Sequence, residues 1–315
     1  MKNLIKLHDS LISFKQLGKK SFAEEYLDYN EDVIIWCINR RCNFNCKYCQ
    51  FAIDEPETYF DVDKIAQAFN RDGKKWHIIV TGGEPLLKHD IIDIFEKLSQ
   101  KHTLFVNTNF SLSYNKLKEF VERVNPKKVG MNIAIHVEER EKIDKDYKDF
   151  IKKIELIKSV GVLFFVSYVF YPSLIDRIDD DFAFFKSHGI EKITLKPFYG
   201  SYNGISYPKA YNDIEREYLN KYYLPEYDLG DNAPATNFKG NICYAGQRTF
   251  YINEHGIARR CENSNDNYGN FFENSFSPDK KPKACNEDAS RCPYQCLIYA
   301  KKKKASLLSR MLTKI

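Results

Sequence analysis

The sequence predicts an α/β fold built on a parallel sheet, and three observations carry that reading. Strand-length apolar runs alternate with segments of helical periodicity between residues 33 and 197. Glycines and polar groups collect where each strand-like run ends. The nine cysteines fall into two groups, four between 37 and 49 and five between 243 and 296, which sets a cysteine-rich C-terminal region apart from the alternating one.

In chain order, residues 1–30 carry Leu4, Ile5, Leu11, Ile12, Phe14 and Leu17, a weak amphipathic pattern broken by Gly18. This stretch is expected to pack as an extension on the main domain, being too short for a peptide-recognition domain. Residues 33–38 form a continuous apolar run, as in a parallel strand covered on both faces, with Cys37 inside it as a small buried hydrophobe. Val62, Ile65, Ala66 and Phe69 mark a helix capped by Asp61 and ended by Gly73. A strand over 76–80 delivers Thr81-Gly82-Gly83-Glu84-Pro85, and Ile91, Ile92, Phe95 and Leu98 give the next helix.

The alternation continues with a strand over 103–106 that ends in Asn107-Thr108-Asn109, then a helix on Leu117, Phe120, Val121 and Val124 after Ser113. A strand over 129–135 ends at His136, and Phe150, Ile151, Ile154 and Ile157 make a helix closed by Gly161. A strand over 162–170, a helix on Phe182 and Phe185 up to Gly189, and a sixth strand over 193–197 complete the series. Right-handed crossovers then put six parallel strands side by side, although this alternation alone fits an open doubly wound sheet as well as a barrel. Residues 198–211 read as a Tyr/Gly-rich loop, either a polar-substrate surface or a structural one, and 249–253 with 257–260 as a hairpin around Glu254-His255-Gly256.

At 315 residues the chain can bury one large core and a smaller one, and 43% hydrophobic with 29% charged residues is ordinary for a soluble globular protein. A net charge of +5 without a basic stripe argues against nucleic acid as a partner. The first residues lack a secretory h-region, and no apolar stretch is long enough to span a bilayer, so a cytoplasmic location is expected. Residues 301–315 open with four lysines and read as a basic tail, packed on the domain or lying at a membrane surface.

The chemistry centres on Arg41-Cys42-Asn43-Phe44-Asn45-Cys46-Lys47-Tyr48-Cys49-Gln50. Three thiolates at this spacing can hold three irons of a cubane and leave the fourth iron open; half of a zinc site is the competing reading. The run, with Tyr48 before its last cysteine, resembles the signature of the radical S-adenosylmethionine (SAM) superfamily, and Thr81-Gly82-Gly83-Glu84-Pro85 resembles that family's GGEP segment. The resemblance implies a partial (β/α)6 barrel of TIM type over residues 31–225, a [4Fe-4S] cluster on Cys42, Cys46 and Cys49, and SAM at its open iron. It further implies a SAM-binding role for Tyr48, Gly82, Gly83 and Pro85, with Glu84 taking the SAM amine. Asn107 and Asn109 are candidates for the SAM ribose or carboxylate, or else turn residues. His136, at a segment where many relatives have serine, is a ribose or substrate contact or a structural histidine, and Ser167 is a weaker SAM candidate.

In the C-terminal region, Gly256-x4-Cys261 with Cys243 upstream resembles the start of a SPASM or twitch auxiliary-cluster domain, here spanning 226–300. Five cysteines suffice for one [4Fe-4S] cluster, drawn from Cys243, Cys261, Cys285, Cys292 and Cys296. One cysteine of the full SPASM run is missing, which favours the twitch type, and the close spacing of Cys292 and Cys296 suits adjacent corners of one cubane, leaving Cys285 as the spare thiol. A structural zinc site is the alternative. A fully ligated auxiliary cluster suits electron transfer, so the expected enzyme is an oxidoreductase, with His136, Lys196 or Tyr168 as the base. Two substrate classes stay open, a small polar sugar-like molecule, preferred, and a ribosomal peptide receiving a thioether or carbon-carbon crosslink; a zinc-stabilised binding protein is the non-enzymatic reading. Flavodoxin or ferredoxin is the expected electron donor.

Overall fold

The computed structural model describes residues 32–49, 58–224, 239–240 and 242–287. The N-terminal extension, the basic tail, Cys292 and Cys296 lie outside them. Six parallel strands follow one another in chain order: β1 (Asp32–Asn39), β2 (Trp76–Gly82), β3 (Thr103–Thr108), β4 (Val129–Ala134), β5 (Leu163–Phe170) and β6 (Ile193–Pro197). Between them run α1 (Val62–Asn70), α2 (Ile91–Ser99), α3 (Tyr114–Arg123), the short α4 (Val137–Arg140), α5 (Lys148–Ser159) and α6 (Ile178–Ser187). The expected helix starts are borne out by their caps: Asp61 accepts from Lys64 N at 2.9 Å and Ser113 from Lys116 N at 3.4 Å.

Strand side chains alternate between two faces. Ile34, Trp36, Ile78, Val80, Leu104, Val106, Met131, Ile133, Val166 and Tyr168 join Phe69, Phe95, Phe120, Phe150 and Phe185 of the helices in one core. The opposite face curls inward. Phe105 of β3 and Phe165 of β5 stack with centroids 6.0 Å apart across Gly130 of β4, the register partner of Phe105. Strands two apart in a flat sheet lie about 9.6 Å from one another, so the two rings lean together over Gly130, which has no side chain in the way, as inward curvature toward a lumen favours. The fold is therefore the partial barrel expected.

The Tyr/Gly-rich segment is a hairpin, not a loop: β7 (Gly200–Tyr202) pairs with β8 (Ile205–Tyr207), followed by α7 (Asp213–Tyr222). Asn203 and Gly204 both adopt left-handed backbone, φ 50° and 78°, as a tight hairpin turn demands, so Asn-Gly was a usable signal. In the C-terminal region the expected hairpin forms from β10 (Thr249–Ile252) and β11 (Ala258–Arg259). It does not stand apart, because β10 pairs in parallel with β1, Val33 opposite Thr249, and extends the sheet to eight strands. β9 (Ile242–Cys243) and β12 (Lys283–Ala284) form a separate two-stranded ladder. Among the described residues no helix is long and apolar enough to cross a membrane.

Candidate active site and metal centres

The cysteine loop leaves the C-terminal end of β1 and is seated on the turn after β2. Gly83 N donates to Asn39 O at 3.1 Å and Glu84 N to Arg41 O at 2.8 Å. A Cβ on Gly82 would come within 2.2 Å of Asn39 O, and one on Gly83 within 2.3 Å of Arg41 O. Both glycines thus serve close contact with the backbone entering the cysteine loop, and Gly82, at φ 145°, also needs its conformational freedom. The loop presents Cys42 and Cys46 half-buried and Cys49 exposed. Burial first, then Glu139 and the neighbouring thiols, pushes Cys46 up to about 12; burial also raises Cys42. Both are neutral thiols until a metal displaces the proton.

Glu84 corrects an expectation. It is fully buried, and its carboxylate accepts from Thr108 Oγ1 at 2.6 Å, Asn109 N at 2.5 Å and Leu86 N at 3.0 Å. At 0% exposure the side chain is enclosed by the fold rather than open to the lumen, and it ties the turn after β2 to the end of β3. Burial pushes its pKa up to about 7, against the pull of those three donors and of Arg140. Pro85 opens the short 3-10 turn Pro85–Leu87 behind it, a position that needs no N–H.

Asn109 is likewise tied into the loop. Its Oδ1 accepts from Ser111 N at 2.9 Å, while Nδ2 reaches Asn43 Oδ1 at 3.1 Å and Cys42 Sγ at 3.6 Å. Tyr48 forms the opposite wall of the loop, with its hydroxyl 2.8 Å from His136 Nδ1 and its ring against Tyr171 and Phe198. Burial raises the Tyr48 phenol, so it stays protonated and can donate to Nδ1. His136 takes a left-handed backbone at φ 45°, and desolvation of its ring, then the charge of Arg140, lowers its pKa to about 4. It is neutral near pH 7 and a weak base.

Register places the remaining lumen groups in rows. Asn107, Asn132 and Phe165 lie side by side, as do Ala134, Ser167 and Thr194, with Lys196 beside Val169 one step higher. Asn132 Nδ2 donates to Asn107 Oδ1 at 3.0 Å, leaving Asn132 Oδ1 without a hydrogen-bond partner among the described residues. Lys196 is buried with its ammonium 5.8 Å from the centre of the Phe165 ring. Tyr168 is not in this lumen, a second correction: it faces α6, donates to Asp181 Oδ2 at 2.6 Å, and its phenol is raised by burial and that carboxylate. One residue in a strand shifts a side chain to the other face, and Ser167 rather than Tyr168 has the lumen phase. Asn132 and Asn39 were missed, although each is a polar residue interrupting or ending an apolar run. Asn39 is 3% exposed, donates to Glu84 O at 3.0 Å and has no partner for Oδ1 among the described residues.

Arg260 ties together the segments that carry Cys243, Cys261 and Cys285. Its Nε donates to Ala245 O at 3.1 Å, and its two Nη atoms to Ala284 O at 2.9 Å and Lys283 O at 2.8 Å. This brings the β9–β12 ladder, which carries Cys243 and precedes Cys285, to the residue just before Cys261. Cys243 and Cys261 are buried, Cys285 half-buried. Cys37 is buried in β1 with burial pushing its thiol up to about 12, as suits a small core residue.

Among the described residues no three His, Cys, Asp or Glu side chains converge tightly enough for a metal ion. A single zinc needs all its sulfurs about 2.3 Å from one centre, whereas a cubane spreads its thiolates over separate irons. The wider grouping of Cys42, Cys46 and Cys49, in which the neighbouring thiols are still close enough to help raise Cys42 and Cys46, fits the cluster. The unpartnered Asn39 and Asn132 oxygens fit a polar ligand beneath it.

Residues 36–185 match the Radical SAM superfamily. A probable GTP 3′,8-cyclase of Thermoplasma volcanium is 32% identical over 109 residues, 31% of each chain, and a GTP 3′,8-cyclase of Staphylococcus saprophyticus is 35% identical over 74 residues, 20% of this chain and 22% of the relative. The matched stretch thus spans less than a third of either cyclase. Similar solved structures include Streptococcus suis SuiB bound to precursor peptide SuiA, 14% identical with a TM-score of 0.53 over 87% of this chain and 68% of that one. Native anSMEcpe with bound AdoMet and the Cp18Cys peptide is 17% identical with a TM-score of 0.51, over 77% and 78%. At these identities the structures speak for the fold.

Proposed function

Residues 36–185 form a radical SAM domain, a fold that binds a [4Fe-4S] cluster and SAM, and from that premise we propose that the cluster sits on Cys42, Cys46 and Cys49, with SAM over the polar end of the lumen. The observation that carries this reading is the seating of the three-thiol loop on the Gly82-Gly83 turn, at the strand ends of a sheet whose lumen face carries Asn107 and Asn132 in one row and Ser167 in the next. When bound, the pair supplies a 5′-deoxyadenosyl radical able to take hydrogen from an unactivated carbon.

This chain's residues then divide the work. Tyr48 and His136 wall one side of the loop, and Asn39, Asn132 and Ser167 offer hydrogen bonds to SAM or substrate. Lys196 is the lumen's candidate for holding an anionic group or taking a proton, a part for which Tyr168 faces the wrong way. Cys243 and Cys261, with two of Cys285, Cys292 and Cys296, would hold a second cluster able to accept one electron, which makes net oxidation the favoured outcome. Residues 226–300 would then be the twitch-like part and 31–225 the barrel.

For the substrate, the sugar-like class expected from the sequence draws no support from the relatives. A peptide is the first choice, because SuiB and anSMEcpe are both peptide-bound in structures of this fold. A nucleotide is second, on the local identity to GTP 3′,8-cyclases. Flavodoxin or ferredoxin remains the proposed electron donor. The test is anaerobic reconstitution followed by assay for 5′-deoxyadenosine under dithionite. Iron and sulfide near about eight each per chain are expected for two cubanes, and zinc without sulfide would overturn the reading. Faster SAM cleavage with peptide than with GTP would support the first choice, and the reverse the second.

A further inference from the structure

The turn after β3 is held more tightly than a connecting loop requires. Phe110 is fully buried with a left-handed backbone at φ 58°, a costly conformation for a bulky residue. Two buried cations converge beneath it. Arg140, 0% exposed, donates to Asn109 O and Phe110 O, with its guanidinium 5.2 Å from the centre of the Phe44 ring and 5.1 Å from that of Phe150. Lys153, 1% exposed, donates to Phe110 O at 2.9 Å and Leu112 O at 3.0 Å and pairs with Asp149 at 2.7 Å. Burying two cations is costly: Lys153 is offset by its carbonyls and Asp149, whereas Arg140 relies on two backbone carbonyls and two aromatic faces, its Nε having no hydrogen-bond partner among the described residues.

What this cradle fixes is Asn109. Its N–H is given to Glu84 Oε2, its carbonyl is taken by Arg140, and its Oδ1 accepts from Ser111 N. Since Oδ1 faces an N–H, the amide can point only one way, with Nδ2 toward Asn43 Oδ1 at 3.1 Å and Cys42 Sγ at 3.6 Å. The two hydrogens of Nδ2 serve both acceptors at once.

We infer that Asn109 is a positioning residue for the proposed cluster: its side-chain amide donates a hydrogen bond to the Cys42 thiolate, aimed there by the Arg140 and Lys153 cradle, and so eases one-electron reduction of the cluster. The inference rests on Cys42 being a cluster ligand. The step it acts on moves one electron from a one-electron reductant to the cluster, with no bond made or broken. An N–H aimed at a ligating sulfur favours the state with more negative charge on sulfur, and hydrogen bonds to the sulfurs are among the terms that set such potentials. Sequence spacing alone gives no hint of this pairing, because 67 residues separate Asn109 from Cys42.

The test is a mediator titration followed by electron paramagnetic resonance, comparing the reconstituted protein with Asn109→Leu, without SAM or substrate. The ratio of oxidised to reduced cluster at a fixed potential should rise about threefold to tenfold in the variant, a shift of up to about 59 mV for one electron. Arg140→Lys, which keeps the charge but loses the paired donors, should move it in the same direction by less. A second readout needs no variant: protein labelled with 15N in the asparagine side-chain amides should show a nitrogen coupling to the reduced cluster, unchanged in Asn43→Ser. An unmoved ratio with full iron content, or no coupling in the labelled protein, overturns the inference. Failure of the underlying reading looks different, since Cys42→Ala would then leave the cluster signal intact.

Discussion

The two cysteine groups are built in opposite ways. Around Cys42, Cys46 and Cys49 the chain spends a short contiguous loop, then fastens it from several strand ends: Asn39 on β1, Gly82 to Glu84 after β2, Asn109 after β3 and His136 after β4. Around Cys243, Cys261 and Cys285 the thiols come from distant points, brought together by two-residue strands and the single side chain of Arg260. The first arrangement suits a site whose ligand set is incomplete by design and must hold an open position steady. The second suits a site that its own metal completes, since metal binding can supply the ordering that the protein lacks.

The largest expected effect separates the two groups outright. Replacing Cys42, Cys46 and Cys49 together with alanine should abolish 5′-deoxyadenosine formation under dithionite while leaving the C-terminal iron in place. In the reverse experiment, Cys243→Ala with Cys261→Ala should lower iron from about eight to about four per chain, with SAM cleavage retained and substrate turnover lost. A double variant that keeps all its iron would show that these thiols are not ligands, and one that still turns over substrate would remove the electron-accepting role.

How much of each region was legible follows from how local its signal is. Six strands and their helices could be read because period-2 and period-3.6 patterns are carried by neighbouring residues, and the cysteine loop because its three thiols lie within eight positions. The part played by Glu84 was not legible: a carboxylate beside two glycines looks poised for a ligand, and only the fold reveals that Thr108 and Asn109, 24 and 25 residues on, consume it. Tyr168 failed for a different reason. A strand covered on both faces has no polar alternation to fix its phase, so neighbouring Ser167 and Tyr168 could not be assigned to lumen or helices.

The next effect in size follows from that correction. Glu84→Ala should act on stability before SAM affinity, because Leu86 N, Thr108 Oγ1 and Asn109 N all lose a buried acceptor, at a cost of about 3–5 kcal/mol. Chemical denaturation of the metal-free protein measures it. An unchanged midpoint, with SAM binding alone weakened, would restore the ligand role.

Acid should loosen the barrel further. Folded-state pKa values near 4 for His136 and His102 and near 3 for His77 lie below the usual 6.5, in each case chiefly through burial. The unfolded chain therefore binds more protons between pH 6.5 and about 4, so stability falls as pH drops through that window. Glu84, raised to about 7, pushes the opposite way, because the folded state keeps its proton down to the unfolded value of 4.5. With three histidines against this one carboxylate, the net expectation is a falling melting temperature below about pH 6.5, with a shallower slope in His136→Gln.

The smallest effect bears on the face of β5. Tyr168 gives its hydroxyl to Asp181, but Arg177 holds the same carboxylate through Nε at 2.8 Å and Nη2 at 2.9 Å. Removing the hydroxyl in Tyr168→Phe leaves Asp181 paired and the ring still packed on Phe182, so stability should fall by only about 1 kcal/mol. If the lumen is where hydrogen abstraction occurs, this change on the helix face should leave SAM cleavage and substrate turnover at parent levels. Ser167→Ala, one position earlier and on the other face, should weaken SAM or substrate binding with stability nearly unchanged. A Tyr168→Phe protein that keeps its fold but loses turnover would place the chemistry on the wrong side of the sheet and undo the phase assignment on which the lumen row rests.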